Sequence, residues 1–100
     1  MSLIYITCKD KKEAEKISMS LLKKRLIACA NIFPIKSIYW WKGKIENQKE
    51  ALVIAKTLGG KYELIKEEVS KMHSYTIPSI LKIDAESNES YDKWVNEVVK

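Results

Sequence analysis

The chain has 100 residues, 46% of them hydrophobic and 31% charged, with three glycines and two prolines; this describes one globular domain and excludes a disordered, fibrous or two-domain protein. Its net charge of +5 comes from seventeen lysines and one arginine, Arg25, spread among thirteen acids, which is the pattern of a solvated surface rather than of base readout, where the bidentate guanidinium is favoured. No apolar stretch reaches the roughly 18 residues of a membrane span, and two cysteines without a leader pattern suit a reducing compartment, so a soluble cytoplasmic protein is expected.

The stretch LIYITC, residues 3–8, is β-branched and aromatic and reads as a strand. Asp10 followed by Glu13 has the form of a capping box, and Ala14, Ile17 and Leu21 repeat at helical spacing, predicting a helix that ends near Arg25. Residues 27–41, IACANIFPIKSIYWW, have strand composition, with Pro34 confining the strand to an edge or requiring a bulge. Lys42-Gly43 turns the chain, and residues 44–57 return as a second strand whose apolar end, Ala51 to Ala55, predicts burial on both faces. Gly59-Gly60 breaks the pattern. Tyr62, Ile65, Val69 and Met72 then mark a helix starting at Lys61 and ending before His73. Residues 76–85 form a fourth strand, and SNESYDKWVNEVVK closes the chain as a short helix burying Tyr91, Trp94 or Val95, and Val98.

The order βαββαβ plus a final helix is the ferredoxin-like α+β pattern in a single domain, 1–100. Right-handed crossovers give the strand order 4-1-3-2 with the helices on one face. Cys8 and Cys29 then lie about two strand spacings apart, roughly 9.6 Å, and at opposite ends of parallel strands. That separation forbids a disulfide and keeps the two from one metal within a chain. Arms of 28–41 and 44–57 would each span about 46 Å at roughly 3.3 Å per residue, against a diameter of roughly 34 Å for a domain of this size. The hairpin must therefore overshoot the monomer. Its apolar tip and open edges call for cover, and a neighbouring subunit is the economical cover. Alternation puts Tyr39 and Trp41 on one face and Trp40 on the other, and at least one of the three is expected to touch another chain or line a cleft.

Single residues point to chemistry less sharply. His73 is the only histidine and sits at a helix-to-strand junction, where it serves as a metal ligand or as a helix C-terminal partner. Cys29, in an apolar run, is core packing or a thiolate ligand. Glu50 falls at the same end of the sheet as His73 and Tyr75, and is either a carboxylate beside the histidine or the partner of a nearby lysine. Lys56 ends its strand as an anion contact or a solvated cation. An RNA-binding domain of this topology needs aromatics on both central strands, yet residues 44–57 hold none, so nucleic acid is disfavoured. An acylphosphatase-like enzyme needs an arginine in a glycine-rich loop, and Arg25 has no glycine near it. Catalysis is therefore not expected.

The strings ACANI, IYWWKGKIE, KEALVIAKT and HSYTIP, in this order and spacing, resemble the CutA family of divalent-ion tolerance proteins. The match rests on Cys29, Asn31, Tyr39, Trp41, Gly43, Ile45, Glu50, Lys56, Thr57, His73, Tyr75 and Pro78 as a set. The resemblance implies a cytoplasmic homotrimer, similar in architecture to PII-type signalling trimers, with clefts between subunits and a link to copper and other divalent metals. Metal ligands are then expected at His73, Glu50 and Cys29, with Tyr39, Trp40, Trp41, Lys56 and Tyr75 in a cleft or interface. Two motifs depart from the family. Ser74 and Thr76 flank Tyr75 where the family has a proline and an acidic or amide residue, and Lys9 replaces the proline of its early Thr-x-Pro-Asp. Cys8 is accordingly not expected to be a family site.

Overall fold

The alternation in the first strand decides which side of the sheet is covered. In the computed structural model, which describes all 100 residues, β1 (Ser2–Cys8) turns Ile4, Ile6 and Cys8 inward, each fully buried, while Leu3, Tyr5 and Thr7 face the other way and are only half-buried. α1 (Lys11–Lys23) lays Ala14, Ile17 and Leu21 on that inner face. Its start is held by Asp10, which accepts a hydrogen bond from the Glu13 N–H at 2.8 Å. At its end Arg25 takes a left-handed conformation with φ of 59°. The Arg25 N–H donates to Leu22 O and the Leu26 N–H to Leu21 O, the paired bonds of a Schellman stop, in a position that glycine usually fills.

β2 (Cys29–Trp41) and β3 (Lys44–Thr57) pair without interruption from Cys29↔Lys56 to Trp41↔Lys44. Pro34 stays in register opposite Ala51 because β2 is an edge strand, so the edge alternative holds and no bulge shortens the arm. Lys42 and Gly43, with φ of 49° and 77°, make the tight turn that a two-residue hairpin loop requires. A one-turn 3₁₀ segment (Gly59–Lys61) leads into α2 (Tyr62–Met72), which buries Ile65 and Val69. β4 (Ile80–Asp84) starts four residues later than the composition suggests, since 76–79 form an irregular approach through Pro78. α3 (Glu89–Val98) closes the chain. It buries Val95, whereas Trp94 is 41% exposed; the second buried residue is Val99 rather than Val98.

The sheet order is β2-β3-β1-β4, the expected ferredoxin-like arrangement, with every neighbouring pair antiparallel. One core joins Ile4, Ile6 and Cys8 to Ala51, Val53 and Ala55 and to the inner stripes of α1 and α2. β1 pairs β3 only over Ala51–Thr57, so residues 44–50 are bonded to β2 alone and the hairpin runs past the body. The molecule is accordingly elongated, 45 × 25 × 21 Å. On the sheet's outer face Phe33, Leu81 and Ile83 stand 39–51% exposed, and Ile38, Trp40 and Ile45 are exposed together on the arm. No helix is long and apolar enough to cross a membrane.

Candidate functional site

The C-terminal end of β1, the first turn of α1 and the loop after α2 meet at one place, and the loop residues His73, Ser74 and Tyr75 connect two groups of polar side chains there. The His73 ring is fully buried. Its Nε2 lies 2.8 Å from the Thr7 carbonyl, to which it donates, and its Nδ1 accepts from the Tyr75 N–H at 3.1 Å. Those two bonds fix the neutral tautomer with the proton on Nε2. The Tyr75 ring packs on it, centroid to centroid 4.9 Å.

On the helix side, Nδ1 of His73 faces Glu13 Oε1 at 4.0 Å. Glu13 accepts from the Lys9 N–H and from the Ser74 N–H, both at 3.0 Å. Burial works to raise its carboxyl, but the hydrogen bonds from Lys9 and Ser74 outweigh it and hold the group below the ordinary carboxylate range. Cys8 completes the group: one ligand-type atom from each of Cys8, Glu13 and His73 lies within 4.8 Å of the other two. Burial, with the charges of Glu13, Asp10 and Glu50, pushes the Cys8 thiol up to about 12.

On the outer face Tyr75 donates its hydroxyl to Glu50, itself buried. The pair sits in a cleft of about 640 Å³ whose walls include Tyr39, Trp41, Glu46 and Gln48 from the hairpin and Thr7 from β1. Burial, then the hydrogen bond to Glu50, keeps the Tyr75 hydroxyl protonated well above the usual range; burial, then Glu50 and Glu46, shifts Tyr39 the same way. None of the twelve lining residues is basic, in a chain of net charge +5. The cleft is therefore a locally negative, aromatic-walled recess that suits a cation.

Of the three expected metal ligands, His73 and Glu50 are brought to the same end of the sheet, joined through Tyr75 but on opposite faces. Cys29 pairs with Lys56, six residues along β3 from Glu50, or about 20 Å. It is neither core nor near the histidine. It lies half-buried on the outer face, with Lys56 Nζ 3.9 Å from its sulfur and Tyr91 of α3 beside it. Lys56 is no free cation, since it also donates to Asn31. Tyr39 and Trp41 line the cleft as alternation requires, and Trp40 points away, 72% exposed. Glu13 and Cys8 escaped the sequence reading as site residues. A capping box accounted for Glu13, although its place beside Ala14, on the stripe that α1 buries, signalled an inward carboxylate. The parity of β1 places Cys8 inward with Ile4 and Ile6. On the outer face of the two central strands, β1 offers Tyr5 as its one aromatic and β3 offers Leu52, Ile54 and Lys56, which is no base-stacking platform.

Residues 2–98 match the model of a family described as CutA1 divalent ion tolerance protein. The chain is 45% identical over 101 residues to a divalent-cation tolerance protein CutA of Pyrococcus horikoshii, covering 100% of this chain and 99% of that one. It is 46% identical over 100 residues to the protein of the same description from Archaeoglobus fulgidus, covering 99% and 98%. Among solved structures, the Archaeoglobus fulgidus protein, described as a periplasmic divalent cation tolerance protein, superposes with a TM-score of 0.97 at 46% identity over 100% of both chains. CutA1 from Pyrococcus horikoshii superposes with a TM-score of 0.96 at 44% identity over 100% of this chain and 99% of that one.

Proposed function

Because this chain belongs to the CutA1 divalent ion tolerance family, we propose that it works as a non-catalytic homotrimer that binds a divalent metal such as copper at the His73 end of the sheet. The observation that carries the reading is the negative cleft at the base of an overshooting hairpin: Glu50 and Tyr75 lie where a copy covering Tyr39 and Trp41 would come to rest. The donor chemistry fits the ion. Imidazole suits copper and zinc, and reduced copper prefers thiolate; Glu50 offers its carboxylate to the cleft, His73 as first-choice ligand has to turn out of its bonds to Thr7 and Tyr75 to reach the same ion, and Cys29 contributes only from a neighbouring subunit. The apolar outer face of the sheet, with Phe33, Leu81 and Ile83, supports burial against other copies. Free cysteines suit a reducing cytoplasm; fractionation of cells expressing the tagged protein checks that placement.

Native mass determination with and without Cu(II) tests the assembly and the metal together. The expected species is three chains with a defined number of ions. A monomer at micromolar concentration would remove the reading. Calorimetric titration of Cu(II) into wild type, His73→Ala and Cys29→Ser tests the ligands, and binding unchanged in both variants would exclude these residues as the metal's holders.

A further inference from the structure

We infer that Cys8, Glu13 and His73 form a complete three-ligand site within one chain for a borderline-to-soft divalent ion of the zinc and cadmium class. The inference takes only its class of ligand from the divalent-ion reading above; the site itself rests on how three separate elements converge. β1 ends at Cys8, the first turn of α1 supplies Glu13, and the loop after α2 supplies His73. Their ligand atoms lie within 4.8 Å of one another. Around a tetrahedral zinc the ligand atoms stand roughly 3.4–3.7 Å apart, from bond lengths of about 2.0 Å to N or O and 2.3 Å to S. Closing the group onto an ion thus takes shifts of about 1 Å.

The surrounding bonds already orient the donors. A metal-bound histidine as a rule gives its other ring N–H to a backbone carbonyl or carboxylate, which fixes the tautomer and aims the lone pair. His73 does this through Nε2 and Thr7 O, leaving Nδ1 turned toward Glu13. The two N–H donors on Glu13, from Lys9 and Ser74, hold the carboxylate ionised and fixed while each oxygen keeps a lone pair free. The ion takes the Nδ1 lone pair that now accepts from Tyr75. Cys8 is the soft donor. Binding breaks its S–H bond and forms a metal–sulfur bond, and the proton leaves to solvent, one per ion. Magnesium and calcium, which require oxygen donors, are excluded by this set. Of the three ligands, Glu13 also lines a depression shared with Lys9, Asp10, Lys12, Lys16, Met72 and Ser74, the side from which a fourth ligand such as water would have to come.

The test uses full-length protein freed of metal by chelation. Cd(II) is the probe, followed by the ultraviolet thiolate-to-cadmium charge-transfer band, with Zn(II) calorimetry in two buffers of different ionisation enthalpy to count protons. Wild type and Cys29→Ser are expected to develop the band at one ion per chain with about one proton released, whereas Cys8→Ala shows none. Glu13→Gln is expected to bind at least about tenfold more weakly. A band that survives in Cys8→Ala, or that disappears in Cys29→Ser, overturns the inference. Should Cys8→Ala fail to fold, cadmium NMR of the wild type decides: a shift for one sulfur donor supports the site, and one for oxygen and nitrogen donors alone refutes it. The outcome separates from that of the proposed function. Copper binding lost in Glu50→Gln or Cys29→Ser with no Cys8-dependent cadmium band leaves the trimeric reading standing and this one refuted. A Cys8-dependent band in a protein that stays monomeric does the reverse.

Discussion

The Glu13→Gln variant, studied in the presence of a chelator, measures how much of the fold hangs on one carboxylate. Each Glu13 oxygen accepts a backbone N–H, one from Lys9 and one from Ser74, sixty-one residues away. The amide keeps one acceptor oxygen and presents an NH₂ group to the other donor. One charge-assisted bond of about 1.5–3 kcal/mol is therefore lost and the other falls to about 1 kcal/mol, for a total loss of about 2–5 kcal/mol per chain. At about 4–8 °C per kcal/mol for a domain of this size, the melting temperature should drop by about 8–40 °C. The sign of the pH dependence follows from the same contact. The folded carboxyl lies below its ordinary value of 4.5, so its contribution is present in full above that value and is lost as the pH falls through the folded pKa. The gap between wild type and variant should be widest at neutral pH and should narrow in acid. Calorimetric melting across that range is the assay. A neutral-pH difference under about 3 °C, or a gap that stays constant into acid, would refute the idea that Glu13 clasps the loop after α2 to the start of α1.

Three further outcomes follow from other contacts. Thr57→Val should cost about 1–3 kcal/mol in urea unfolding, because the fully buried hydroxyl donates to Leu26 O at 2.6 Å and the variant leaves that carbonyl without a partner. Arg25→Gly should raise the urea midpoint slightly, since relief of about 1–2 kcal/mol of left-handed strain exceeds the added freedom of the unfolded chain; a lower midpoint would show that the arginine side chain contributes more than its backbone costs. Under the proposed assembly, light scattering should find Leu81→Lys/Ile83→Lys monomeric with its helical circular dichroism intact, and Trp41→Ala should weaken association by over about 2 kcal/mol. Unchanged mass in both would place the interface elsewhere.

Period-two alternation carried most of what the sequence made legible. It separates Tyr39 and Trp41 from Trp40, puts Ile4 and Ile6 inward, and, through the count of residues on either side of Lys42-Gly43, announces an arm longer than the body. What stayed hidden depends on contacts between residues far apart in sequence. Glu13 reads locally as a helix cap because its second partner, Ser74, is fixed only once α2 has packed. Cys29 sits in a strand whose composition says core, yet it faces outward, away from α1 and α2, where Lys56 and Tyr91 of α3 reach its sulfur. Trp94 looks like the anchor of α3 by size, but the helix turns the smaller Val95 inward. Late entry into β4 reflects Pro78, which has no N–H to give to a ladder, with the intervening residues spent on the loop that holds His73 and Tyr75.

The distal half of the hairpin has a kinetic consequence. Residues 35–41 and 44–50 pair with each other and with no other strand of the chain, so beyond the Tyr75–Glu50 hydrogen bond at its base no ladder holds that ribbon against fraying, and an isolated two-stranded ribbon is marginal in water. Under the proposed assembly, the body around Ile4, Ile17 and Val53 forms first, at a rate indifferent to concentration. The arm then orders only when chains collide. Refolding would divide into a first-order phase seen by helix signal and a concentration-dependent phase seen by the tryptophans at the tip, and in dilute solution the chain would wait between them with its arm still open.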